Sequence, residues 1–210
     1  MTSAEPDQER AIRQYHRLAP VYDAIARFGM RYRRMAVDRL QLRPGESVVD
    51  VACGTGLNFD YLYEQVGPSG RIIGIDLSGD MLVRARERVD RAAWRNVTLI
   101  ESAAESANIP ASADAAIFSL THDVMRSREA VENVISFLKP GSRVAVLGAK
   151  WAPRWVFPIN LFVRAVSRAY VTTLEGYERP WSHLEDHVPN LEVKPLMLGA
   201  FYIAIGRRPI

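Results

Sequence analysis

The chain has 210 residues, 48% hydrophobic and 24% charged, which suits one globular domain with a sizeable core and excludes a disordered or fibrous chain. Its single cysteine, Cys53, excludes an internal disulfide framework and any cysteine-rich metal site. The formal charge of +3 hides an uneven layout: only three of 27 basic residues are lysine, and residues 10 to 43 carry nine arginines against two acids, Asp23 and Asp38.

An arginine-rich face of this kind is either solvated or turned toward an anionic partner, and no nucleic-acid-binding motif accompanies it, so nucleic acid is not expected. The stretch from Thr2 to Arg10 is polar and acidic, unlike a signal peptide, and no apolar run approaches the roughly 18 residues of a membrane span. A cytoplasmic protein is expected.

In chain order, Ala11 to Leu40 reads as helical with a break at Pro20, and Tyr15, Leu18, Tyr22, Ile25, Phe28 and Tyr32 recur at three- and four-residue spacing. Arg43-Pro44-Gly45 ends it. Ser47 to Ala52 reads as a central parallel strand, and Phe59 to Val66 as the helix after it, stopped by Gly67-Pro68-Ser69-Gly70. The alternation repeats: strand Arg71 to Asp76, helix Ser78 to Asp90, strands Val97 to Glu101 and Ala115 to Leu120, helix Arg128 to Leu138, and strand Arg143 to Gly148.

From Trp151 the texture changes. Trp155 to Val171 is apolar and aromatic and reads as helical after Pro158, while Leu191 to Lys194 and Gly199 to Arg207 read as the strands of an antiparallel edge hairpin. The expected architecture is a single α/β domain over residues 1 to 210. It is doubly wound and Rossmann-like, with a mostly parallel seven-stranded sheet, helices on both faces and an antiparallel C-terminal edge.

The motif with most chemical content is Val48-Val49-Asp50-Val51-Ala52-Cys53-Gly54-Thr55-Gly56, with Asp76 following 20 residues beyond Gly56. A strand, a glycine turn, a helix and an acid-tipped second strand hold an adenosine-bearing cofactor. Gly54 and Gly56 let a ligand approach the backbone. Asp50 repels a nucleotide pyrophosphate and attracts a cation, and Phe59 stands where a dinucleotide fingerprint has its third glycine. Both features favour S-adenosylmethionine (SAM), which carries a sulfonium and an ammonium. Asp76 suits ribose hydroxyls of either cofactor.

These residues resemble the class I SAM-dependent methyltransferases. Val49 to Gly56 is similar to their first motif and Gly74-Ile75-Asp76-Leu77-Ser78 to their second; Asp114 to Phe118 and Leu138-Lys139-Pro140-Gly141 are similar to their strand-four and strand-five signatures. The resemblance implies a cofactor site of Tyr22, Asp50, Ala52, Cys53, Gly54, Gly56, Asp76, Leu77, Met81, Ala103, Ala104 and Ser119. Asp50 to Gly56 would line the methionine part, Asp76 would hold the ribose, and Leu77 and Met81 would pack on the adenosine. Relatives often have an acid where this chain has Ala103, so adenine would rest on backbone groups and apolar packing.

Methyl transfer from a sulfonium needs positioning and water exclusion more than a catalytic triad. His122, just after strand four, is the candidate base, or else a residue shaping the pocket. His183 and His187 have i, i+4 spacing, but no further ligands accompany them and no metal is expected. The segment Tyr15 to Asp23 is similar to the opening helices of ubiquinone/menaquinone-type C-methyltransferases and bacterial phospholipid N-methyltransferases, which implies a lid over residues 1 to 42.

The expected acceptor contacts are Tyr15, Tyr22, His122, Trp151 and Arg154, beneath an aromatic insert at residues 151 to 185. The aromatics of that insert, with Arg154, Arg164 and Arg168, suit the surface of an anionic bilayer. The favoured acceptor is the amine of a phospholipid such as phosphatidylethanolamine, with a quinone-like or other small hydrophobic metabolite as the alternative. Peripheral contact with the inner membrane face goes with the first.

Overall fold

The computed structural model describes residues 6–18, 22–26, 29–168 and 170–210; the side chains of residues 15, 17, 18, 24, 25, 154, 162 and 166 lie outside that description. Seven strands form one sheet: β1 (Ser47–Val51), β2 (Arg71–Asp76), β3 (Val97–Glu101), β4 (Ala113–Ser119), β5 (Leu138–Ala149), β6 (Glu192–Leu196) and β7 (Phe201–Arg207). Their order is β3-β2-β1-β4-β5-β7-β6, parallel from β3 to β5 and antiparallel for β7 and β6. This is the doubly wound sheet with an antiparallel C-terminal edge that the alternation of elements predicts.

The helices are α1 (Gln8–Leu18), α2 (Tyr22–Ala26), α3 (Met30–Leu40), α4 (Phe59–Val66), α5 (Gly79–Arg91), α6 (His122–Arg126), α7 (Arg128–Ser136), α8 (Phe157–Ser167) and α9 (Ser182–Glu185). Strand residues alternate between two cores, as a pleat with a period of two requires. Val49, Val51, Ile73, Ile75, Ala116, Phe118, Val144 and Val146 face α7 and α9. Val48, Ile72, Ala115, Ile117, Ala145 and Leu147 face α3, α4 and α5. With both faces covered, the central parallel strands are mostly apolar, with Asp50 in β1 a buried exception.

Several boundaries differ from expectation. The break at Pro20 lies outside the described residues, but the N-terminal segment divides again, since α2 ends at Ala26 and α3 begins at Met30. His122 opens the short helix α6 where a loop was expected. Leu138 already pairs with Ala113, so β5 starts five residues before Arg143, across an irregular step at Gly141 (φ 74°). Pro158 falls in the first turn of α8, where its missing N–H costs nothing. Pro195 lies within β6, at the outer edge of the sheet, where proline is tolerated.

Residues 151 to 201 carry a third, smaller core: Ala152, Val156, Val163, Val171, Tyr177 and Ala200, with Trp151, Ile159 and Tyr170 packed against it. Among the described residues, no helix is long and apolar enough to cross a membrane.

Candidate active site

Strand order reverses between β1 and β4, and open α/β sheets receive their ligands outside the carboxyl ends of strands at such a switch point. A cleft of about 940 Å3, counting its open mouth, lies there. The residue that leaves each strand on the way into it is not glycine yet is left-handed: Ala52 at φ 51° after β1 and Leu120 at φ 60° after β4. Such conformations persist where the surroundings enforce them, and they cluster at functional sites.

The second motif closes on the first. Asp76 accepts the Gly54 N–H at 2.7 Å on one oxygen and the Ser78 N–H at 2.8 Å on the other. Burial pushes its carboxyl up, and backbone donors from Ser78, Gly54 and Leu77 pull it back. Two oxygens offer about four lone-pair sites, so acceptor capacity is left for a ligand. A Cβ added at Gly54 would meet nothing within 4 Å, so a side chain there would stand in the space a ligand needs.

Phe59, which replaces the third glycine of a dinucleotide turn, packs under the loop. A Cβ at Gly56 would lie 2.5 Å from its ring and one at Gly74 2.7 Å. The glycines at 56 and 74 therefore make room for an aromatic ring, which accounts for Gly74 in the middle of an otherwise branched-aliphatic strand.

Of the expected site residues, Tyr22, Ala52, Gly54, Asp76, Leu77, Met81, Ala103, Ala104, Ser119 and His122 line the cleft. Asp50, Cys53 and Gly56 sit beneath the turn instead of lining the cleft. Asp50 is fully buried and accepts the Asn58 amide at 2.9 Å; burial raises its pKa to about 7, against the pull of Asn58 and Arg33. Its position is therefore that of a support for the turn. Cys53 is buried, and burial pushes its thiol up, with Asp76 and Asp50 adding to the effect. Trp151 stands one layer back, 5.2 Å from the ring of Tyr177. The side chains of Tyr15 and Arg154 lie outside the described residues.

Two polar networks tie the N-terminal helices to the turn, and sequence reading did not find them. Buried Arg33 donates to Asn58 at 3.2 Å and to the Tyr22 hydroxyl at 3.5 Å, which joins α3, α2 and Asp50. Arg88 donates to the Thr55 carbonyl at 3.1 Å, to Asp60 at 3.1 Å and to Asp23 at 2.8 Å, while the Thr55 hydroxyl donates to Asp23 at 2.5 Å. Arg88 is one of several arginines on α5, so nothing in the sequence distinguishes it. Asn58 carried a weak signal, being a short amide just after the glycine turn.

The opposite wall is built around His122. Its Nε2 lies 3.0 Å from the Glu175 carbonyl oxygen, which can only accept, so Nε2 carries the proton. Nδ1 is left as an acceptor with no partner among the described residues. Burial lowers the His122 pKa to about 4, the Glu175 carbonyl working against the shift and Arg126 with it. The imidazole is therefore neutral at physiological pH and packs 4.2 Å from the Tyr177 ring.

Helix α1 spans the mouth. The Asp7 N–H donates to the Thr172 hydroxyl at 3.0 Å, and Thr172 donates from both its hydroxyl and its N–H to Asp123, at 2.8 and 2.9 Å. Gln14 donates to the Arg168 carbonyl at 3.3 Å, and on the far side His16 Nδ1 meets Asp80 at 2.7 Å. Ala11 and Ile12 thus line the cleft from above.

A switch-point cleft with a two-glycine turn, a carboxylate at the tip of β2 and a buried histidine after β4 defines a class of enzyme. The chain is a class I SAM-dependent methyltransferase, and SAM is its cofactor. Residues 48–141 match the family model of the methyltransferase domain. The demethylmenaquinone methyltransferase of Listeria welshimeri is 26% identical over 192 residues, 87% of this chain and 81% of that protein. The 2-phytyl-1,4-naphtoquinone methyltransferase of Thermosynechococcus vestitus is 38% identical over 81 residues, 36% of each chain. The solved structure of the N-methyltransferase NodS from Bradyrhizobium japonicum, in complex with S-adenosyl-L-homocysteine, shares the fold with a TM-score of 0.62 at 17% identity, covering 86% of this chain and 87% of that one.

Proposed function

We propose that the enzyme methylates a ring carbon of a small hydrophobic hydroquinone, the reduced form of a quinone. The observation that carries this reading is the neutral, buried imidazole of His122 with Nδ1 unpartnered at the β4 side of the cleft. An amine acceptor needs only to arrive unprotonated, whereas a hydroquinone becomes strongly nucleophilic at carbon when a base takes its hydroxyl proton. The two quinone-methylating relatives support the same class.

Bound SAM supplies a methyl group whose leaving group, a thioether, needs no acid. Asp76 would accept the ribose hydroxyls, Gly54 and Ala52 would let the methionine end lie against the backbone, and Leu77, Met81, Ala103 and Ala104 would enclose the adenosine. Asp50 would act through Asn58 on the shape of the turn. His122 Nδ1 would accept the hydroxyl proton as the neighbouring ring carbon bonds the methyl and the methyl–sulfur bond breaks. The proton of that ring carbon then leaves to solvent, which restores the aromatic ring, and His122 returns its proton to the oxygen. Helix α1 across the mouth, with Tyr22 beside it, would act as the lid, whereas α3 is packed into the core through Ala36, Val37 and Leu40 and is not part of it. Residues 151 to 185, with Tyr170 and Tyr177, would cover the acceptor.

A second reading is methylation of a lipid amine such as that of phosphatidylethanolamine, favoured by an insert without a single acid between Trp151 and Leu174. Either acceptor resides in a bilayer, so contact with an anionic membrane surface belongs to both. Incubation with methyl-labelled SAM and either a reduced short-chain naphthoquinone or phosphatidylethanolamine, followed by chromatography, separates them. Label in the naphthoquinol carbon skeleton supports the first; label only in the phospholipid overturns it.

A further inference from the structure

Seven large apolar side chains are more than half exposed among the described residues, and five belong to two short segments: Trp155 (77%), Phe157 (70%) and Leu161 (64%) in one, Met197 (51%) and Leu198 (63%) in the other. The segments are 36 residues apart at their nearest but adjoin in space. A Cβ on Gly199 would lie 2.7 Å from the Pro153 ring, and the Lys150 N–H donates to the Ala200 carbonyl at 2.9 Å. Both lie at the carboxyl end of β5 and the start of β7, the edge of the sheet that holds the cleft.

Two details argue that this exposure is a built feature. Met197 and Leu198 are consecutive non-glycine residues in the left-handed region, at φ 46° and 55°. Such backbone conformations are strained for residues with a side chain, and two large side chains held this way in solvent would bring no return within the folded chain alone. Among the described side chains of α8, Phe157, Pro158, Leu161, Arg164 and Ala165 are exposed, and Arg168 follows; apart from Pro158 they form an i, i+4, i+7, i+8, i+11 stripe, while Val163 and Ser167 are buried. Aromatic and aliphatic groups at one end of the stripe and arginines toward the other match the lipid-facing side of an interfacial helix.

We propose that this two-segment face docks on an anionic phospholipid bilayer, with Trp155, Phe157, Leu161, Met197 and Leu198 entering the acyl boundary and Arg164 and Arg168 meeting lipid phosphates. Charge selects the occupant, because residues 151 to 174 hold three arginines and no acid. The docked face would lie on the same edge as the cleft mouth, so a lipid-soluble acceptor could pass between them without crossing water. This assignment deepens the reading of a lipophilic acceptor, but its test reads vesicle binding without turnover, so the two fail separately.

The experiment is cosedimentation of the full chain with phosphatidylcholine vesicles, with or without about one third phosphatidylglycerol. Two arginines at about fivefold each predict roughly twenty-five-fold tighter binding to the anionic vesicles, falling as salt rises. The Trp155→Ser/Leu198→Ser variant should lose at least tenfold while still binding SAM, and Arg164→Glu/Arg168→Glu should abolish the preference for anionic lipid. Equal binding to both vesicle types, or undiminished binding by both variants, overturns the proposal. So does a dimer in solution that Trp155→Ser/Leu198→Ser dissociates, since a second copy would then be what covers the face.

Discussion

The two sides of the cleft are held in opposite ways. The side built on β1 and β2 is fixed by charged and amide groups buried under a glycine turn: Asp76 on Gly54, Asn58 between Asp50 and Arg33, and Arg88 across Thr55, Asp60 and Asp23. The side built after β4 is held mainly by tilted ring contacts and by loops that fold on a small separate core, with the His122 bond to a carbonyl and two Thr172 bonds to Asp123 as its main polar ties. Directional polar contacts specify one geometry, whereas apolar packing tolerates substitution at constant volume. A cofactor that never changes suits the first kind of wall, and an acceptor that differs among relatives suits the second.

The sharpest way to break this contrast is His122→Asn. We expect turnover of a hydroquinone acceptor to fall by about a hundredfold to ten-thousandfold, the usual contribution of a positioned base, with SAM affinity unchanged. The pH dependence adds a sign. With a folded pKa near 4 the imidazole stays neutral as pH falls from 8 to about 5.5, so no acidic limb at the ordinary histidine value of 6.5 should appear in kcat. Because the unfolded state binds that proton first, stability should fall as pH drops from 6.5 toward 4. A limb centred on 6.5 that vanishes in the variant would contradict the neutral assignment.

Next in size is Asp76→Ala. Loss of hydrogen bonds to a charged acceptor, about 1.5–3 kcal/mol, should weaken SAM roughly ten- to a hundredfold in calorimetric titration, with helix content retained. Undiminished affinity would remove Asp76 from the cofactor wall. Gly74→Ala tests the packing beneath that wall. Its methyl would meet the Phe59 ring, the Cys53 sulfur at 2.9 Å and Leu99, so urea unfolding should register about 1–3 kcal/mol of overpacking, less in a Phe59→Leu background. An equal loss in both backgrounds would clear the ring. The smallest effect is a gain: Ala103→Asp gives the cleft the carboxylate acceptor for adenine that the family resemblance leads one to expect there. SAM should tighten by about three- to tenfold, one ordinary hydrogen bond. No gain would mean adenine lies elsewhere along the cleft.

The same contrast governs how much could be read from sequence. Strands β2 and β3 and helix α4 fall where the pattern puts them, because their apolar runs and glycine stops are local signals. Asp50 was legible as a member of the site but not as a residue beneath it, since burial depends on what packs above, here Asn58 and Arg33. Arg88, Asp123 and Glu175 gave no signal. Each acts through a partner at least 28 residues away, Asp60 being the nearest, and only the folded chain brings them together. The insert's aromatics were visible, but their division into a buried set around Tyr177 and an exposed set around Trp155 required the turn at Met197–Gly199, which nothing local announces.

Strand β7 lies inside the sheet, bonded to β5 on one side and β6 on the other, and it contributes Tyr202 and Ala204 to one core and Ile203 to the other. A ribosome therefore delivers a cofactor-half sheet whose β5 edge stays open until residues 201 to 207 emerge. Unpaired edges of long apolar strands recruit other chains. The interval between synthesis of Ala149 and synthesis of Arg207 is thus when a nascent copy is most exposed to aggregation, and a stop codon just before Phe201 would yield a sticky polypeptide even though every residue of the cleft had already been made.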